Sequence, residues 1–198
     1  MENGMKQIWL VRHGESMAQT GEEEDGRNPP LSERGKEQAA RLRHPLGAVT
    51  FDRILVSPLI RACQTYELSE VDRTNAEFDS RVMESEWGNP EFYTPVLPLQ
   101  LPETAAPDRH NAYDLTVEER AASVIEELAD GNTECCLIVA HWGICGRLFM
   151  AFAGATVTDW SVLPSMDNTG ISLFEIDDEG RRWVRYWNDR GHVLDLLD

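Results

Sequence analysis

Lysine is nearly missing from this sequence: only Lys6 and Lys36 occur among its 18 basic residues, and the rest are arginine. Bases of either kind are outnumbered by 35 acidic residues, giving a formal net charge of −17 at pH 7. Such a charge repels the phosphates of nucleic acid and anionic membrane surfaces, so neither is expected as a partner. No apolar run approaches the roughly 20 residues that a membrane-spanning helix needs. Met1–Gln7 lacks the basic, apolar and small-residue series of a signal peptide, which makes a cytoplasmic location the expectation. Cysteine is sparse as well. Cys63, Cys135, Cys136 and Cys145 form no C-x-x-C pair and read as buried reduced thiols rather than a zinc or redox site.

What is present suffices for a core. A chain of 198 residues, 41% apolar, fits a single domain spanning 1–198 without disulfide staples. Lys6–Arg12 reads as a buried strand, and Arg53–Ser57, Ala76–Asp79 and the apolar Cys135–Ala140 as further strands. Thr169–Ile176 and Arg182–Trp187 read as a final strand pair around an Asp-Asp-Glu-Gly turn. Ser32 caps a helix expected over Glu33–Arg43 and closed by Pro45, and Pro58 opens one running to Leu68. Thr116-Val117-Glu118-Glu119 is a capping box, and Gly143–Ala153 reads as a last helix. The proline- and aromatic-rich stretch 84–114 has neither period and is expected to be a loop or lid.

Strands alternating with helices predict an α/β fold: a mostly parallel central sheet with helices on both faces, a three-layer α/β/α sandwich. Ligands of such sheets bind beyond the carboxyl ends of the strands. There the sequence places Arg12-His13, Ser57 with Arg61 one helical turn later, and His141, with Glu84 shortly after the third strand.

Alone, His13, Arg61 and Glu84 each have a plain structural explanation, whereas His141 ends a wholly apolar strand, where a polar side chain needs a partner or a task. Together, two arginines and two histidines make a positive concavity in an anionic protein, suited to a phosphate monoester dianion. The backbone N–H of Gly14 beside His13 is expected to be available to that ligand. A neutral imidazole can take the phosphoryl group, and a carboxylic acid, Glu84 or Glu86, can protonate the departing alcohol.

At this point the sequence resembles the histidine phosphatase superfamily, the phosphoglycerate mutase-like proteins. The resemblance rests on RHGES at Arg12–Ser16, NPPLSERGKEQAARL at Asn28–Leu42 and SPLIRACQT at Ser57–Thr65. CLIVAHWGICGRL at Cys136–Leu148 and WNDRGHV at Trp187–Val193 extend it over nearly the whole chain. It implies the phosphoglycerate mutase-like fold and a phosphomonoester hydrolase without metal or cofactor. His13 would be the phosphorylated nucleophile; Arg12, Arg61 and His141 would bind phosphoryl oxygens. MESEWG at Met83–Gly88 resembles the segment bearing the proton donor, in a register favouring Glu84 over Glu86.

Three neighbours depart from the pattern. Gln19 stands where an asparagine often contacts phosphate, Asn28 where aspartate is frequent, and Trp142 where glycine is common. Gln19 and the Trp142 backbone N–H are still expected to bind phosphate, with the indole lining or crowding the pocket. The expected partner is a small-molecule phosphate monoester, and a homodimer is left open. The alternatives are a phosphoglycerate mutase-type isomerase, a phosphoprotein phosphatase and a phospho-binding module. A mutase needs extra cations, and between Glu84 and His141 the basic residues are only Arg109 and Arg120, with His110 as an addition.

Overall fold

The computed structural model describes residues 4–22, 28–72, 74–84, 110, 112–156 and 163–196. Its strands are β1 (Lys6–Arg12), β2 (Arg53–Val56), β3 (Ala76–Phe78), β4 (Cys135–Ala140), β5 (Ile171–Ile176) and β6 (Arg182–Asp189). They form one sheet in the order β3-β2-β4-β1-β5-β6. β1 to β4 pair in parallel, while β5 and β6 are antiparallel additions beyond β1. The helices are α1 (Met17–Thr20), α2 (Glu33–Arg41), α3 (Arg43–Leu46), α4 (Ile60–Leu68), α5 (Val117–Asp130) and α6 (Trp142–Ala153).

Strand alternation sends successive side chains to opposite faces. Ile8 and Leu10 of β1 join Cys136, Ile138 and Ala140 of β4 against Val124, Ile125, Ile144 and Leu148 of α5 and α6. Val11, Leu137 and Val139 point the other way, onto Leu42, Leu46, Ala62 and Tyr66 from the α2–α4 side. The result is a mixed α/β sheet with helices on both faces. Fully burying a Leu, Ile or Val contributes about 1.5–3 kcal/mol, so the β1–β4 centre is the firm part of the molecule. No helix among the described residues is long and apolar enough to cross a membrane.

The differences from the sequence reading have local causes. The expected helix over Glu33–Arg43 divides at Leu42, and Pro45 lies inside the short α3 rather than ending it. Proline fits there because a first helical turn needs no N–H from it. Pro58 does not open α4: Ser57 Oγ accepts the Leu59 N–H at 3.3 Å, turning the chain so that α4 begins at Ile60. Most of the expected lid at 84–114 lies outside the described residues; near its end, Ala112–Asp114 form one 3₁₀ turn.

All four cysteines are free, with Cys135 half-buried and the other three buried. Burial pushes the Cys63 thiol up to about 12 and the Cys135 thiol to about 11, which keeps both protonated.

Candidate active site

Parallel pairing assembles the site. Arg12 lies opposite Ala140 in the β1–β4 register, so the next residues, His13 and His141, leave the sheet side by side. Their ring centroids are 5.0 Å apart. The His13 N–H bonds Ala140 O at 2.9 Å, and the Ser57 N–H bonds Val139 O at 3.0 Å, which draws the ends of β1 and β2 onto β4. Ser57 Oγ and His141 Nε2 are 2.7 Å apart. Arg61, in the first turn of α4, donates from Nε to His13 Nε2 at 3.2 Å.

His13 Nδ1 lies 2.6 Å from Gly14 O. That carbonyl can only accept, so the proton sits on Nδ1 and the Nε2 lone pair faces Arg61. Burial, then Arg61 and Arg12, lowers the His13 pKa well below that of a free imidazole. His141 is lowered too, by burial first and then by Arg61, His13, Arg12 and Arg120. Both rings are therefore neutral among cationic guanidinium groups.

Arg12 donates from Nη1 to Met166 O at 2.6 Å. Its Nε and the His141 Nδ1 are buried without a hydrogen-bond partner among the described residues. Two uncompensated polar atoms at one strand edge fit a site built for a polar ligand. Burial lowers the Arg12 pKa, and the charges of Glu84, Cys145 and Asp167 oppose that shift. Glu84 is thus near enough to act electrostatically on Arg12. Glu86 lies outside the described residues.

The Gly14 N–H is not open to a ligand, contrary to the sequence reading. It donates to Thr65 Oγ1 at 3.0 Å, while Thr65 Oγ1 donates to Arg61 O at 2.7 Å. Thr65 lies one turn beyond Arg61 on the same face of α4 and ties that helix to the His13 loop. Its i,i+4 spacing from Arg61 was the available signal.

Gln19 is held at the rim. Its Oε1 accepts from the Ser16 N–H at 3.1 Å, and it exchanges two 3.2 Å hydrogen bonds with Asn168. Asn168 Nδ2 also donates to His13 O at 3.0 Å, a support for the histidine that sequence reasoning missed. Neighbouring Thr169 has φ 54°, a left-handed conformation that a β-branched residue rarely adopts. Its N–H reaches Arg12 O at 3.0 Å, so the turn braces the end of β1. Asn28 finds a separate use: its Oδ1 accepts the Ile60 N–H at 2.9 Å, at the start of α4.

Trp142 opens α6, is 43% exposed, and donates from its indole to Pro164 O at 3.3 Å. Glu15 lies behind the loop as a structural anchor, not in the cluster. Ser32 Oγ donates to it at 2.7 Å and Arg34 Nε at 2.9 Å, and these bonds outweigh burial to hold its carboxyl below the usual range.

Residues 8–190 match the histidine phosphatase superfamily, branch 1, and the chain belongs to that family. Adenosylcobalamin/alpha-ribazole phosphatase of Escherichia coli is 45% identical over 67 residues, 33% of this chain and 33% of that protein. Agropine synthesis reductase of Rhizobium rhizogenes is 31% identical over 133 residues, 67% of this chain and 29% of that protein. The chain thus spans about a third or less of these curated relatives. The crystal structure of the alpha-ribazole phosphatase from Shigella flexneri superposes with TM-score 0.67 at 22% identity, covering 93% of this chain and 96% of that one. The fold is that of these phosphoglycerate mutase-like proteins.

Proposed function

We propose that the protein is a phosphomonoesterase acting on a small phosphorylated metabolite through a phosphohistidine on His13. The observation that carries this reading is the state of His13. A buried neutral imidazole, protonated on Nδ1, presents Nε2 among Arg61, Arg12 and His141. In the proposed first step Nε2 attacks phosphorus in line with the ester oxygen. A bond from nitrogen to phosphorus forms as the phosphorus–oxygen bond breaks, while the arginines and His141 hold the phosphoryl oxygens.

Glu84 gives the leaving alcohol its proton. The resulting carboxylate then takes a proton from the water that attacks phosphohistidine, releasing phosphate and restoring both residues. Arg61 must exchange its hydrogen bond to Nε2 for one to a phosphoryl oxygen, so substrate binding frees the nucleophile. The scheme draws on His13, Glu84, His141 and the two arginines, with water as the second substrate. Gln19 and the Trp142 backbone are read as further contacts to the phosphate.

Hydrolysis is favoured over isomerisation by Arg120, a basic residue that a mutase could have used for a second anionic group. It is 1% exposed, and its guanidinium is directed at backbone carbonyls. The E. coli and S. flexneri relatives named above are phosphatases of alpha-ribazole compounds, in keeping with a small-molecule substrate.

Incubation with a panel of phosphorylated metabolites tests the reading by phosphate release, with His13→Ala as control. The expected result is release that His13→Ala abolishes while the fold is kept. Isomerisation of 3-phosphoglycerate outpacing phosphate release, with a trace of bisphosphate present, would assign the mutase reading instead.

A further inference from the structure

Arg120 is among the largest fully buried side chains of the molecule. Its Nη1 lies 3.3 Å from Ser80 O, 3.4 Å from Arg81 O and 2.9 Å from Met83 O. Its Nη2 donates to Glu84 O at 3.2 Å. One planar fork therefore gathers four carbonyls from five consecutive residues, a geometry that a lysine ammonium cannot reproduce. A buried cation so placed is costly unless its donors are met, so the carbonyls must stay where they are.

Both sides of this contact are themselves fixed. Arg120 sits in the first turn of α5, whose start is set by the capping box of Thr116 and Glu119, with bonds of 2.8 and 3.2 Å. The gathered segment is tied at its other end. Arg81 Nε contacts both Asp79 oxygens at 3.0 Å, Arg81 Nη1 donates to Ser123 Oγ at 2.9 Å, and Ser80 Oγ accepts the Ala112 N–H at 2.8 Å. The last carbonyl in the fork belongs to Glu84, whose carboxylate acts on Arg12 and on Cys145.

We infer that Arg120 is a positioning residue: by gathering the carbonyls of Ser80, Arg81, Met83 and Glu84, it sets where the Glu84 carboxyl meets the leaving group. The inference rests on the reading of Glu84 as proton donor. It gives Arg120 a task that burial alone does not require, since an apolar side chain could fill the same space.

The test compares Arg120→Lys, Arg120→Gln, Glu84→Gln and the double variant Arg120→Lys/Glu84→Gln on aryl phosphates of graded leaving-group acidity, from p-nitrophenyl phosphate to phenyl phosphate. Misplacing the proton donor harms poor leaving groups most. The expected result is a steeper dependence of kcat/KM on leaving-group pKa in Arg120→Lys, with roughly tenfold or more extra loss at the phenyl end. Glu84→Gln should show the same steepening, and the double variant should be no steeper than Glu84→Gln alone.

If Glu84→Gln steepens the dependence and folded Arg120→Lys and Arg120→Gln do not, the inference is overturned and the Glu84 reading stands. If Glu84→Gln shows no steepening, the proton-donor reading itself fails, and the inference with it. Failure of both Arg120 variants to fold, judged by circular dichroism and vanadate binding, would assign Arg120 to the fold alone and also overturn the proposal.

Discussion

Arg61 and His13 share a hydrogen bond in which Nε of the arginine donates to Nε2 of the histidine at 3.2 Å. The acceptor must be unprotonated, and the 2.6 Å contact of Nδ1 with Gly14 O requires the proton on the other nitrogen. Two independent contacts thus select the same tautomer, leaving a lone pair where the scheme needs a nucleophile. Arg61 also helps keep the ring neutral, because a second cation beside it would be repelled.

Replacing Arg61 with methionine should therefore act twice. In the proposed scheme it removes a donor to the phosphoryl oxygens, which should lower kcat/KM by roughly a hundredfold or more. It also removes a cation beside His13, so the imidazole pKa should rise toward its ordinary value while staying lowered by burial. Steady-state kinetics and an NMR titration of the histidine ring read the two effects separately. A His13 pKa that did not move would show that Arg61 plays no part in setting its charge.

The two buried histidines should make the free protein acid-sensitive. Burial is the leading cause of the lowered pKa in each, followed by Arg61. The folded state resists protons that the unfolded chain accepts near the ordinary imidazole value of about 6.5. Below that pH the unfolded state binds more protons, so stability falls as pH drops, by up to about 1.4 kcal/mol per pH unit per histidine. Thermal unfolding midpoints measured on either side of that pH should show the decline, and His13→Asn/His141→Gln should flatten it. An equal pH dependence in that variant would assign the acid sensitivity to other groups.

The loop bearing His13 depends on two glycines in contact. A Cβ on Gly35 would lie 1.9 Å from Glu15 O, and one on Gly14 would lie 2.4 Å from Gly35 O. Both obstacles are backbone atoms, which cannot swing aside as a flexible side chain could. Gly35→Ala should cost about 1–3 kcal/mol of stability, as overpacking does. It should also lower kcat/KM by displacing Glu15 and the adjoining Gly14. Chemical denaturation and kinetics on the same preparation check both, and unchanged values would mean that α2 is free to move away.

Much of the site could be read before the fold was known because its anchors end apolar strands. Lys6–Arg12 and Cys135–Ala140 have the boundaries expected from their apolar runs, and the parallel sheet then necessarily brings His13 beside His141. The start of α4 was not legible, because the turn at Ser57–Leu59 is made by a side-chain hydroxyl that competes with the backbone. Asn168 and Thr65 escaped as partners of the site for a similar reason. Each is a small polar residue whose use depends on a neighbour far away in sequence. Gly14 was misread because its N–H partner, Thr65, is 51 residues away. Arg120 stood out only as one of two arginines between Glu84 and His141, since nothing in sequence shows that the carbonyls of Ser80, Arg81, Met83 and Glu84 meet the first turn of α5.

The most direct test is to trap the covalent intermediate. The protein is mixed rapidly with an aryl phosphate, quenched in alkali, digested and examined by mass spectrometry. The account predicts one phosphoryl group on the peptide containing His13, stable to alkali, lost in acid and absent from His13→Ala. Full turnover with no phosphoryl group on that peptide, or with the label on another residue, would contradict it.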